Sequence, residues 1–595
     1  MTSTSGSAAA PLLECDVVMK GGITSGVIYP TALKTLSETY RFKGMGGASA
    51  GAIGAALGAA AEHGRAGGSF ERLGTLPATL GGGALMRLFQ AERPTRPMLR
   101  LMLAATSAKG SKGFAVFKAV VRSFPIALLV GAAPGVAALV VGLLQHGAAR
   151  WVLIALSIVT IVLGVLMAAL FRTYRVLTGK VTANNFGICT GLRLEGSKDP
   201  GFTDWLSDQI DALAGDHGKA PLTFGQLWTG TATSEPVKPA DRKVDLRMVT
   251  TCLSEGQPFE LPWKGGRYFL DEAEWRTLFP EAVVDHLVKY ARVSPDAAEN
   301  AQLTAHQPPL TRMPPPEELP VIVATRMSLS FPLLISAIPM WTINRRNGKF
   351  VKVWFTDGGL CNNFPVQLFD SALPTRPTFA INLGRFGVDT DEQADEQLNV
   401  RWAKNNSSGI APRVGAIPHT GLKAVTGFAG MAFNAARSWT DVSQLDQPGY
   451  RDRIVQVLQT KSQGGMNLDM QLDTITRLAG RGATAATVMV DQFTTEKYPN
   501  NGTGWDNHRW VRYRALMAAL PDWVASFQAG AAVLDTDVTE PPGYTISADA
   551  AALAQAITDS VTALAELLGS TDDEVLEALT SEPNPNSVLR RVPLM

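Results

Sequence analysis

The chain has 595 residues, with 54 Lys and Arg against 53 Asp and Glu, so its formal net charge is +1. A nearly neutral chain has no overall field that favours nucleic acid or another polyanion, and we predict no nucleic-acid partner. Charged residues make up only 18% of the sequence and apolar residues 46%, which indicates that part of the surface meets something other than water. The length allows one large catalytic domain with extensions, or two to four ordinary domains.

The cysteines and the N-terminus exclude further classes of protein. Cys15, Cys189, Cys252 and Cys361 are far apart and form no C-x-x-C pair, so neither a zinc site nor a disulfide framework is expected. We predict no metal and no cofactor. Residues 1–11 have no basic segment before an apolar core, so they are not a secretory signal, and we expect a disordered tail.

The first apolar run, residues 12–19, is predicted as a buried strand that enters a glycine-rich turn, KGGITSG at 20–26, and continues as a helix over 27–38. Paired glycines after a strand let backbone N–H groups point into an open cavity, as an anion site or an oxyanion hole requires. A P-loop is excluded because Val27 stands where the lysine belongs. A Rossmann turn is excluded because neither glycine cluster completes G-x-G-x-x-G. An oxyanion loop remains.

A second strand, turn and helix follow over residues 40–63, where Gly47-Ala48-Ser49-Ala50-Gly51 separates a short strand from an Ala-rich helix. A serine with glycines two positions before and after it is typical of a nucleophile elbow, a sharp turn that exposes the serine Oγ. The alternative is the ordinary start of a Gly- and Ala-rich helix, because the five-residue pattern also arises by chance.

Residues 69–123 have a helical pattern in which basic residues alternate with apolar ones such as Phe114 and Phe117. One face is therefore cationic and the other apolar. This pattern suits a helix that lies in a membrane interface, and a solvated surface helix explains the charges about as well.

Two uncharged runs of 21 residues follow, at 124–144 and 151–171. Each is long enough to cross a hydrocarbon core of about 30 Å, so the pair predicts a transmembrane hairpin. A buried soluble hairpin is the alternative, and Pro134 and Gly135 inside the first run are compatible with it. Basic residues flank the pair more densely than the connecting loop, which has only Arg150, so both flanking parts should face the cytoplasm. The flanking residues are Lys109, Lys112, Lys118, Arg122, Arg172, Arg175 and Lys180.

After the hairpin, the chain alternates between strand and helix patterns, which indicates an α/β fold with a largely parallel sheet. A turn-rich segment is predicted over 184–191, a helix over 202–213, strands over 244–253, 319–324 and 378–383, and a Pro-rich loop or lid over 308–320. The last part of the chain, from about residue 499, is predicted as an accessory helical region.

A second catalytic candidate ends a strand-like run over 351–355, where Asp357 is followed by Gly358 and Gly359. α/β enzymes keep functional side chains at the ends of strands, and the glycines allow close backbone approach. Ordinary Asp-Gly turn chemistry is the alternative. The seven histidines have no motif around them, so we expect a general base among the carboxylates.

Four motifs occur in a fixed order: KGGITSG at 20–26, GASAG at 47–51, TRMSLSFPLL at 325–334 and DGGLCNNFP at 357–365. In that order they resemble the patatin-like phospholipase family, with its glycine-rich oxyanion loop, G-x-S-x-G serine, A-S-x-x-x-P segment and D-G-G/A motif. The resemblance extends from about residue 12 to 493, is interrupted by the hairpin and is weakest over 386–458. Four ordered motifs are far more specific than one pentapeptide.

The resemblance implies that Ser49 is the nucleophile and Asp357 the general base of a Ser–Asp dyad without histidine. It also implies that Gly21 and Gly22 form the oxyanion hole. Supporting positions in the same motifs are Gly26, Gly47, Gly51, Gly358 and Gly359.

The chain departs from the family pattern in the oxyanion loop, where Ile23 replaces the third glycine and Ser25 the usual basic residue. Lys20, just upstream, is a candidate for the missing charge. Ile23 could narrow the hole and change selectivity. The stretch 325–328 only approximates the family's small-residue segment. None of these departures touches Ser49 or Asp357.

The resemblance implies a patatin-like three-layer α/β/α fold with a largely parallel central sheet. We expect it to comprise residues 12–119 and 181–493, with a transmembrane hairpin at 120–180 and a helical extension at 494–595. The implied activity is hydrolysis of phospholipid or other acyl-lipid esters by a protein anchored in a membrane through 124–171. We expect this membrane to be the bacterial inner membrane and the catalytic domain to be cytoplasmic. A thioesterase or neutral-lipid esterase with the same dyad is an alternative, and a non-catalytic lipid-binding scaffold is another.

Overall fold

The structure is a computed structural model, and it describes residues 12–107, 111–215, 220–263, 265–387, 390–403, 405–406, 417, 419–460, 462–531 and 546–584. The predicted tail at 1–11 and the flanking Lys109 lie outside these residues. The strands are β1 Leu13–Met19, β2 Tyr40–Ala48, β3 Gly187–Cys189, β4 Asp245–Cys252, β5 Gln257–Leu261, β6 Phe269–Asp271, β7 Leu310–Arg312, β8 Leu333–Ile335, β9 Ile338–Ile343, β10 Phe350–Asp357, β11 Thr378–Arg385, β12 Val400–Arg401, β13 Ile454–Gln459, β14 Glu496–Tyr498 and β15 Gly502–Thr503.

The α-helices lie between and after these strands, and short 3-10 turns connect several of them. Their bounds are α1 Tyr29–Ser37, α2 Ala50–His63, α3 Ser69–Thr79, α4 Ala84–Leu88, α5 Arg96–Ser107, α6 Lys112–Ser123, α7 Pro125–Leu144, α8 Ala148–Arg175, α9 Phe202–Ala214, α10 Phe224–Thr229, α11 Glu272–Trp275, α12 Glu281–Lys289, α13 Ala297–Ala305, α14 Val321–Ser328, α15 Gly421–Ser443, α16 Leu472–Thr494, α17 Gly504–Ala531, α18 Ala548–Gly569 and α19 Asp573–Thr580.

The fold is organised on an 11-stranded sheet in the order β12-β13-β11-β1-β2-β4-β10-β9-β6-β7, with β5 also paired to β4. The five adjacent strands β13, β11, β1, β2 and β4 are parallel. The strands outside this group pair antiparallel, beginning with β10 on β4 and β12 on β13. The predicted α/β class and parallel sheet centre are therefore confirmed.

Strand β2 at the sheet centre is covered on both faces. On one face Met45 and Gly47 meet helix α2, where Gly58 and Gly51 leave room for close contact. On the other face Gly44 and Gly46 lie under the Phe369 ring. Side chains alternate between the faces of a strand, so the glycines of β2 are where the neighbouring layers approach most closely.

The prediction of a strand over 319–324 is wrong, because residues Val321–Ser328 form helix α14. Every residue of this helix is buried, so the apolar run has no polar face. A short run that is apolar all round cannot be assigned to strand or helix by periodicity. The stretch predicted as a Pro-rich loop also contains a short strand, β7, at Leu310–Arg312.

The predicted hairpin is an antiparallel pair of helices, α7 and α8, in which α8 continues through a π-helical turn at Val176–Val181. The helices touch at small residues. A Cβ on Gly131 would lie 2.4 Å from the Gly164 carbonyl oxygen, and one on Gly164 would lie 2.0 Å from the Gly131 oxygen. Gly135 contacts the Ile161 backbone in the same way. Small residues at such crossings are typical of helix pairs in lipid.

Most side chains of the hairpin face outwards and are apolar, including Leu129 at 71% and Leu170 at 65% exposure. By length and composition, three helices of the described chain could cross a membrane: Pro125–Leu144, Ala148–Val181 and Ala548–Gly569. The first two are the predicted pair. The third, in the C-terminal extension, was not predicted as a span.

We predict that Gly164→Leu separates α7 from α8, because the added side chain would occupy the space of the Gly131 backbone. Hydrogen–deuterium exchange of the full chain in detergent should then increase along both helices. The matched control is Gly179→Leu, where a Cβ would meet nothing within 4 Å, and it should leave the exchange unchanged. Equal exchange in both variants would contradict this packing.

Candidate active site

Ser49 lies between the end of β2 and the start of α2, with φ 55° and ψ −129°. A non-glycine residue with positive φ is strained, and this turn from strand to helix is the geometry of a nucleophile elbow. The side chain is only 4% exposed. The first N–H groups of α2 begin beside it and have no acceptor within the helix, so the local field favours negative charge.

Two glycines make this turn sterically feasible. A Cβ on Gly47 would lie 2.4 Å from the Gly51 carbonyl carbon, and one on Gly51 would lie 2.0 Å from the Met19 oxygen. Any larger residue at either position would therefore push α2 away from the ends of β1 and β2. Both positions were predicted as supporting residues from the motif.

Asp357 ends strand β10, two strands away from β2. β10 pairs Asp357 with Thr250 of β4, and β2 pairs Ala48 with Val249 of the same strand, so Ser49 and Asp357 start at the same level of the sheet. Gly358 lets the following turn lie against β4, since a Cβ there would be 1.9 Å from the Val249 oxygen. The carboxylate thereby reaches the serine.

The Ser49 Oγ donates a hydrogen bond to Asp357 Oδ2 at 2.6 Å. The other carboxylate oxygen, Oδ1, accepts the Gly359 N–H at 2.7 Å. Asp357 is 3% exposed, so both oxygens are held by these bonds away from bulk water. The structure thus brings together the two residues that the sequence predicted as nucleophile and base.

Burial raises the pKa of Asp357 to about 6, although the hydrogen bonds from Ser49 and Gly359 and the nearby Arg437 each lower it. Removing water disfavours the charged form of a carboxyl group. A base with a pKa near neutrality is ionised at pH 7 and still holds a proton well enough to take it from a hydroxyl. Arg437 belongs to α15, which places that helix near the carboxylate.

Two serines that the sequence analysis did not single out hold this pair in position. Ser328 Oγ, at the end of α14, accepts the Ser49 N–H at 3.1 Å and donates to the Val249 oxygen at 2.6 Å. The Ser330 carbonyl oxygen accepts the Asp357 N–H at 3.1 Å and the Thr356 hydroxyl at 2.6 Å. Only the third motif, TRMSLSFPLL, gave a signal that this segment belongs to the site.

The segment is itself held by Arg326, which is fully buried. Its guanidinium donates to Ser330 Oγ at 2.5 Å and to the carbonyl oxygens of Thr190 and Ser336 at 2.9 and 3.0 Å. Burial lowers the pKa of Arg326 to about 9. The sequence pattern did not indicate this role, because an arginine in the last turn of a helix is normally exposed to water.

In the predicted oxyanion loop, Gly21 packs directly on Ser49. A Cβ there would lie 2.9 Å from the Ser49 Cβ and 2.2 Å from the Asn363 side-chain oxygen. The Gly21 N–H donates to the Asn363 carbonyl oxygen at 2.9 Å, so this donor is already engaged. The Gly22 N–H has no acceptor among the described residues, and of the two predicted donors it is the one available to a ligand.

The remaining predicted glycines also lie at close approaches. A Cβ on Gly26 would lie 3.2 Å from the Ala50 Cβ, and one on Gly359 would lie 2.4 Å from the Asn363 side-chain oxygen. Asn363 thus contacts both the oxyanion loop and the turn after Asp357. Its side-chain nitrogen donates to the Gly21 carbonyl oxygen at 3.3 Å. In the sequence analysis Asn363 appeared only as part of the motif DGGLCNNFP at 357–365.

The structure shows the contacts of the loop residues that differ from the patatin-like pattern, as well as those of Lys20. Ser25 is 3% exposed, and its hydroxyl donates to Gln459 Oε1 at 2.7 Å. Lys20 does not point its charge into the loop, because its ammonium lies 3.1 Å from Asp441 Oδ2 on α15. Ile23 lines an apolar cavity next to the elbow.

This cavity lies between α2, α3 and the segment after α14, and its volume is about 60 Å³. Apolar side chains form nearly all of its wall. Ala50, the residue after Ser49, is part of the wall, and so the cavity adjoins Ser49. The lining residues include Ile23, Ile53, Leu57, Leu80, Phe89, Trp205 and Phe331.

Comparisons with known proteins give one close relative. No protein-family model matches the chain. The chain is 33% identical over 611 aligned residues to the RpoH suppressor of Rhizobium meliloti (strain 1021), with 91% of each chain covered. Among solved structures, the crystal structure of VipD from Legionella pneumophila aligns over 95% of this chain and 82% of its own. That alignment has 10% identity and a TM-score of 0.26, too low to inform the fold or the function.

We predict that Asp357→Asn stabilises the folded protein, because the amide retains the size and bonding of the carboxyl group without its buried charge. A rise in pKa from 3.8 to about 6 corresponds to about 3 kcal/mol. The ionised carboxyl is favoured in the unfolded chain, so the wild type loses this stability as pH rises from about 4 to about 6. The variant should therefore exceed the wild type by about 3 kcal/mol above pH 6, and by almost nothing at pH 4.

Urea unfolding in detergent at pH 4, 5, 6 and 8, followed by tryptophan fluorescence, measures this difference. The exposed Asp522→Asn is the control and should have no pH-dependent gain. A difference that is independent of pH would contradict the burial argument.

Proposed function

The chain belongs to the family of the Rhizobium meliloti RpoH suppressor, whose name states no reaction, and from the site we propose that it is a patatin-like serine acyl hydrolase. It would cleave carboxylic esters of phospholipids or related acyl lipids through Ser49 and Asp357. The observation that carries the proposal is the 2.6 Å hydrogen bond from a strained, glycine-flanked Ser49 Oγ to a buried Asp357 carboxylate.

In the first half of the proposed reaction, Ser49 Oγ attacks the ester carbonyl carbon while Asp357 Oδ2 accepts the hydroxyl proton. The tetrahedral intermediate collapses, the bond to the alcohol breaks, and Asp357 returns the proton to the leaving alkoxide. In the second half Asp357 takes a proton from water, the hydroxide attacks the acyl-serine, and the acid leaves as the proton returns to Ser49. Splitting one difficult step into two is the general advantage of an acyl-enzyme.

The negative charge of the tetrahedral intermediate needs donors that are fixed in advance. The Gly22 N–H, which has no acceptor within the described part of the chain, and the first N–H groups of α2 are the groups that could supply them next to Ser49. Gly21 has a different part in this proposal. Its lack of a side chain brings the loop against Ser49, and its own N–H ties the loop to Asn363.

The apolar wall of the cavity favours a lipid acyl chain over a small polar ester. A hydrocarbon chain gains about 0.8 kcal/mol for each buried CH₂ group, and the wall offers almost no polar partner for anything else. The hairpin of α7 and α8 would hold the site at a bilayer, where such lipids are concentrated. Orientation towards the cytoplasm is part of the same proposal, from the basic flanks.

We predict that Ser49→Ala and Asp357→Asn each lower hydrolysis of phospholipid and of a short activated ester by about 10⁴-fold or more, because nucleophile and base act as one unit. The wild-type kcat/KM should rise with pH through about 6 and level off above it, as the ionised Asp357 becomes available. Ser49→Ala should also lose labelling by a fluorophosphonate.

The control is Ser37→Ala, another buried serine, whose hydroxyl only caps α1 by donating to the Lys34 oxygen. It should keep wild-type rates. Equal rates for all variants would reject the dyad. Lipid binding without fluorophosphonate labelling of the wild type would favour a non-catalytic scaffold instead.

We further predict that Ile53→Trp shortens the acyl chain that the enzyme accepts. Ile53 lines the cavity about 6 Å along α2 from Ser49, so a larger side chain there should block the chain beyond its first carbons. Hydrolysis of a sixteen-carbon ester should fall at least tenfold relative to a four-carbon ester. Steady-state rates over a series of chain lengths measure the change.

Fluorophosphonate labelling at Ser49 reports whether this variant still folds around the site. The matched control is Leu373→Trp, at an exposed leucine outside the cavity, which should keep the wild-type preference. An unchanged preference in Ile53→Trp with normal labelling would show that the chain binds elsewhere.

A further inference from the structure

Helix α15, Gly421–Ser443, presents a row of large apolar side chains outwards and is attached to the protein near its C-terminal end through the buried Asp441. Val425 and Phe428 are each 67% exposed and Trp439 is 72% exposed, whereas Asp441 is 2% exposed. In a helix packed on a soluble core the opposite arrangement is expected, because the apolar stripe turns inwards.

The exposed apolar residues form one stripe. Val425, Phe428, Met431, Trp439 and Val442 are separated by three or eight positions, which places them within about 120° of the helix circumference. Phe433, also exposed, lies outside this arc, about 80° beyond Val425. We call the five residues the outer stripe. Arg437 and Asp441 lie on the other side of the helix.

The inner side of the same helix meets the candidate active site. The Asp441 carboxylate lies 3.1 Å from the ammonium of Lys20, the residue before Gly21. Arg437 is close enough to Asp357 to act on its charge. Because Gly21 packs on Ser49, the polar anchor of α15 is only one residue away from the contact with the nucleophile.

A lipid surface fits the outer stripe better than a groove on another protein. The stripe is convex, contains Trp and Phe, and has no charged residue within it, as in helices that lie in a bilayer interface. The chain also has two adjacent helices, α7 and α8, that are long and apolar enough to cross a membrane. Such an anchor would keep a bilayer within reach at high effective concentration.

We propose that α15 docks its outer stripe on the lipid bilayer while the Asp441–Lys20 pair holds its inner side at the edge of the active site. The choice of a bilayer as the occupant rests in part on the proposed function, since a lipid hydrolase must bring Ser49 to its substrate. The docked helix then lies between the oxyanion loop and the lipid surface, and the polar edge of the site stays next to the headgroups.

The test places a reporter on the stripe of the full chain in vesicles of phosphatidylcholine and phosphatidylglycerol. Phe428→Cys is labelled with an environment-sensitive fluorophore in a Cys361→Ser background, since Cys361 is exposed and the other three cysteines are buried. Asn434→Cys, at an exposed polar position of the same helix outside the stripe, is the matched control. Some of the lipids carry a nitroxide quencher.

We expect the lipid quencher to reduce the signal at position 428 at least twofold more than at position 434. Equal quenching at the two positions, or a label at 428 that behaves as in water, would overturn the proposal. A label at 428 that is in an apolar environment but is not reached by the lipid quencher, and that becomes water-like when the protein is diluted tenfold in lipid, would assign the stripe to a second copy of the chain and would overturn the proposal as well.

The measurement does not require hydrolysis, so its outcome is independent of the reaction proposed for Ser49. Quenching at position 428 but not at 434, in a chain without esterase activity, would support the proposed docking of α15 on lipid and would reject the proposed ester hydrolysis. Esterase activity without quenching at position 428 would do the reverse.

Discussion

The bond between Ser49 Oγ and Asp357 Oδ2 imposes the main constraint on this fold, because the two residues belong to strands that are not neighbours. A bond of 2.6 Å across β4 requires a serine backbone with positive φ on one side and a turn pressed onto β4 on the other. Both the strained serine backbone and the turn against β4 leave no space for a side chain at the neighbouring backbone positions. The glycines at 21, 47, 51 and 358 therefore follow from the position of one hydrogen bond.

The charges around this bond are arranged without a direct ion pair. Asp357 is held by a hydroxyl and a backbone N–H, so burial dominates and its pKa rises. Arg326, on the far side of the supporting segment, is bonded to serine and carbonyl oxygens, and burial lowers its pKa. A carboxylate paired directly with Arg326 would have a lowered proton affinity and would be a poor base. Ser330, which lies between them, accepts a hydrogen bond from the Arg326 guanidinium at its hydroxyl and one from the Asp357 N–H at its carbonyl oxygen.

The local motifs were sufficient to predict that Ser49 and Asp357 belong to one site. They did not predict the strand pairing that brings the two side chains together. Ser49 was predicted from the glycines around it and Asp357 from its place at a strand end. The expectation that strand ends gather at one edge applies to parallel strands, whereas β10 runs antiparallel to β4. The pair forms because β10 overlaps only the last three residues of β4. Register between distant strands has no local sequence signature, and the roles of Ser328, Arg326 and Asn363 depend on it. Helix α14 was missed for a related reason, since a fully buried run has no periodicity to read.

Residues of the 20–26 loop that differ from the patatin-like pattern can be explained by what each side chain contacts. Ser25 bonds to Gln459 in a buried space that has no room for a solvated cation. Ile23, in place of a flexible glycine, forms part of the cavity wall. Lys20 directs its charge to Asp441, at the base of the outward-facing helix α15. Within four residues the loop therefore contacts Ser49, the apolar cavity and the helix that we propose to dock on lipid. A shift of α15 at a bilayer would reach Gly21 and Gly22 through the ion pair between Asp441 and Lys20.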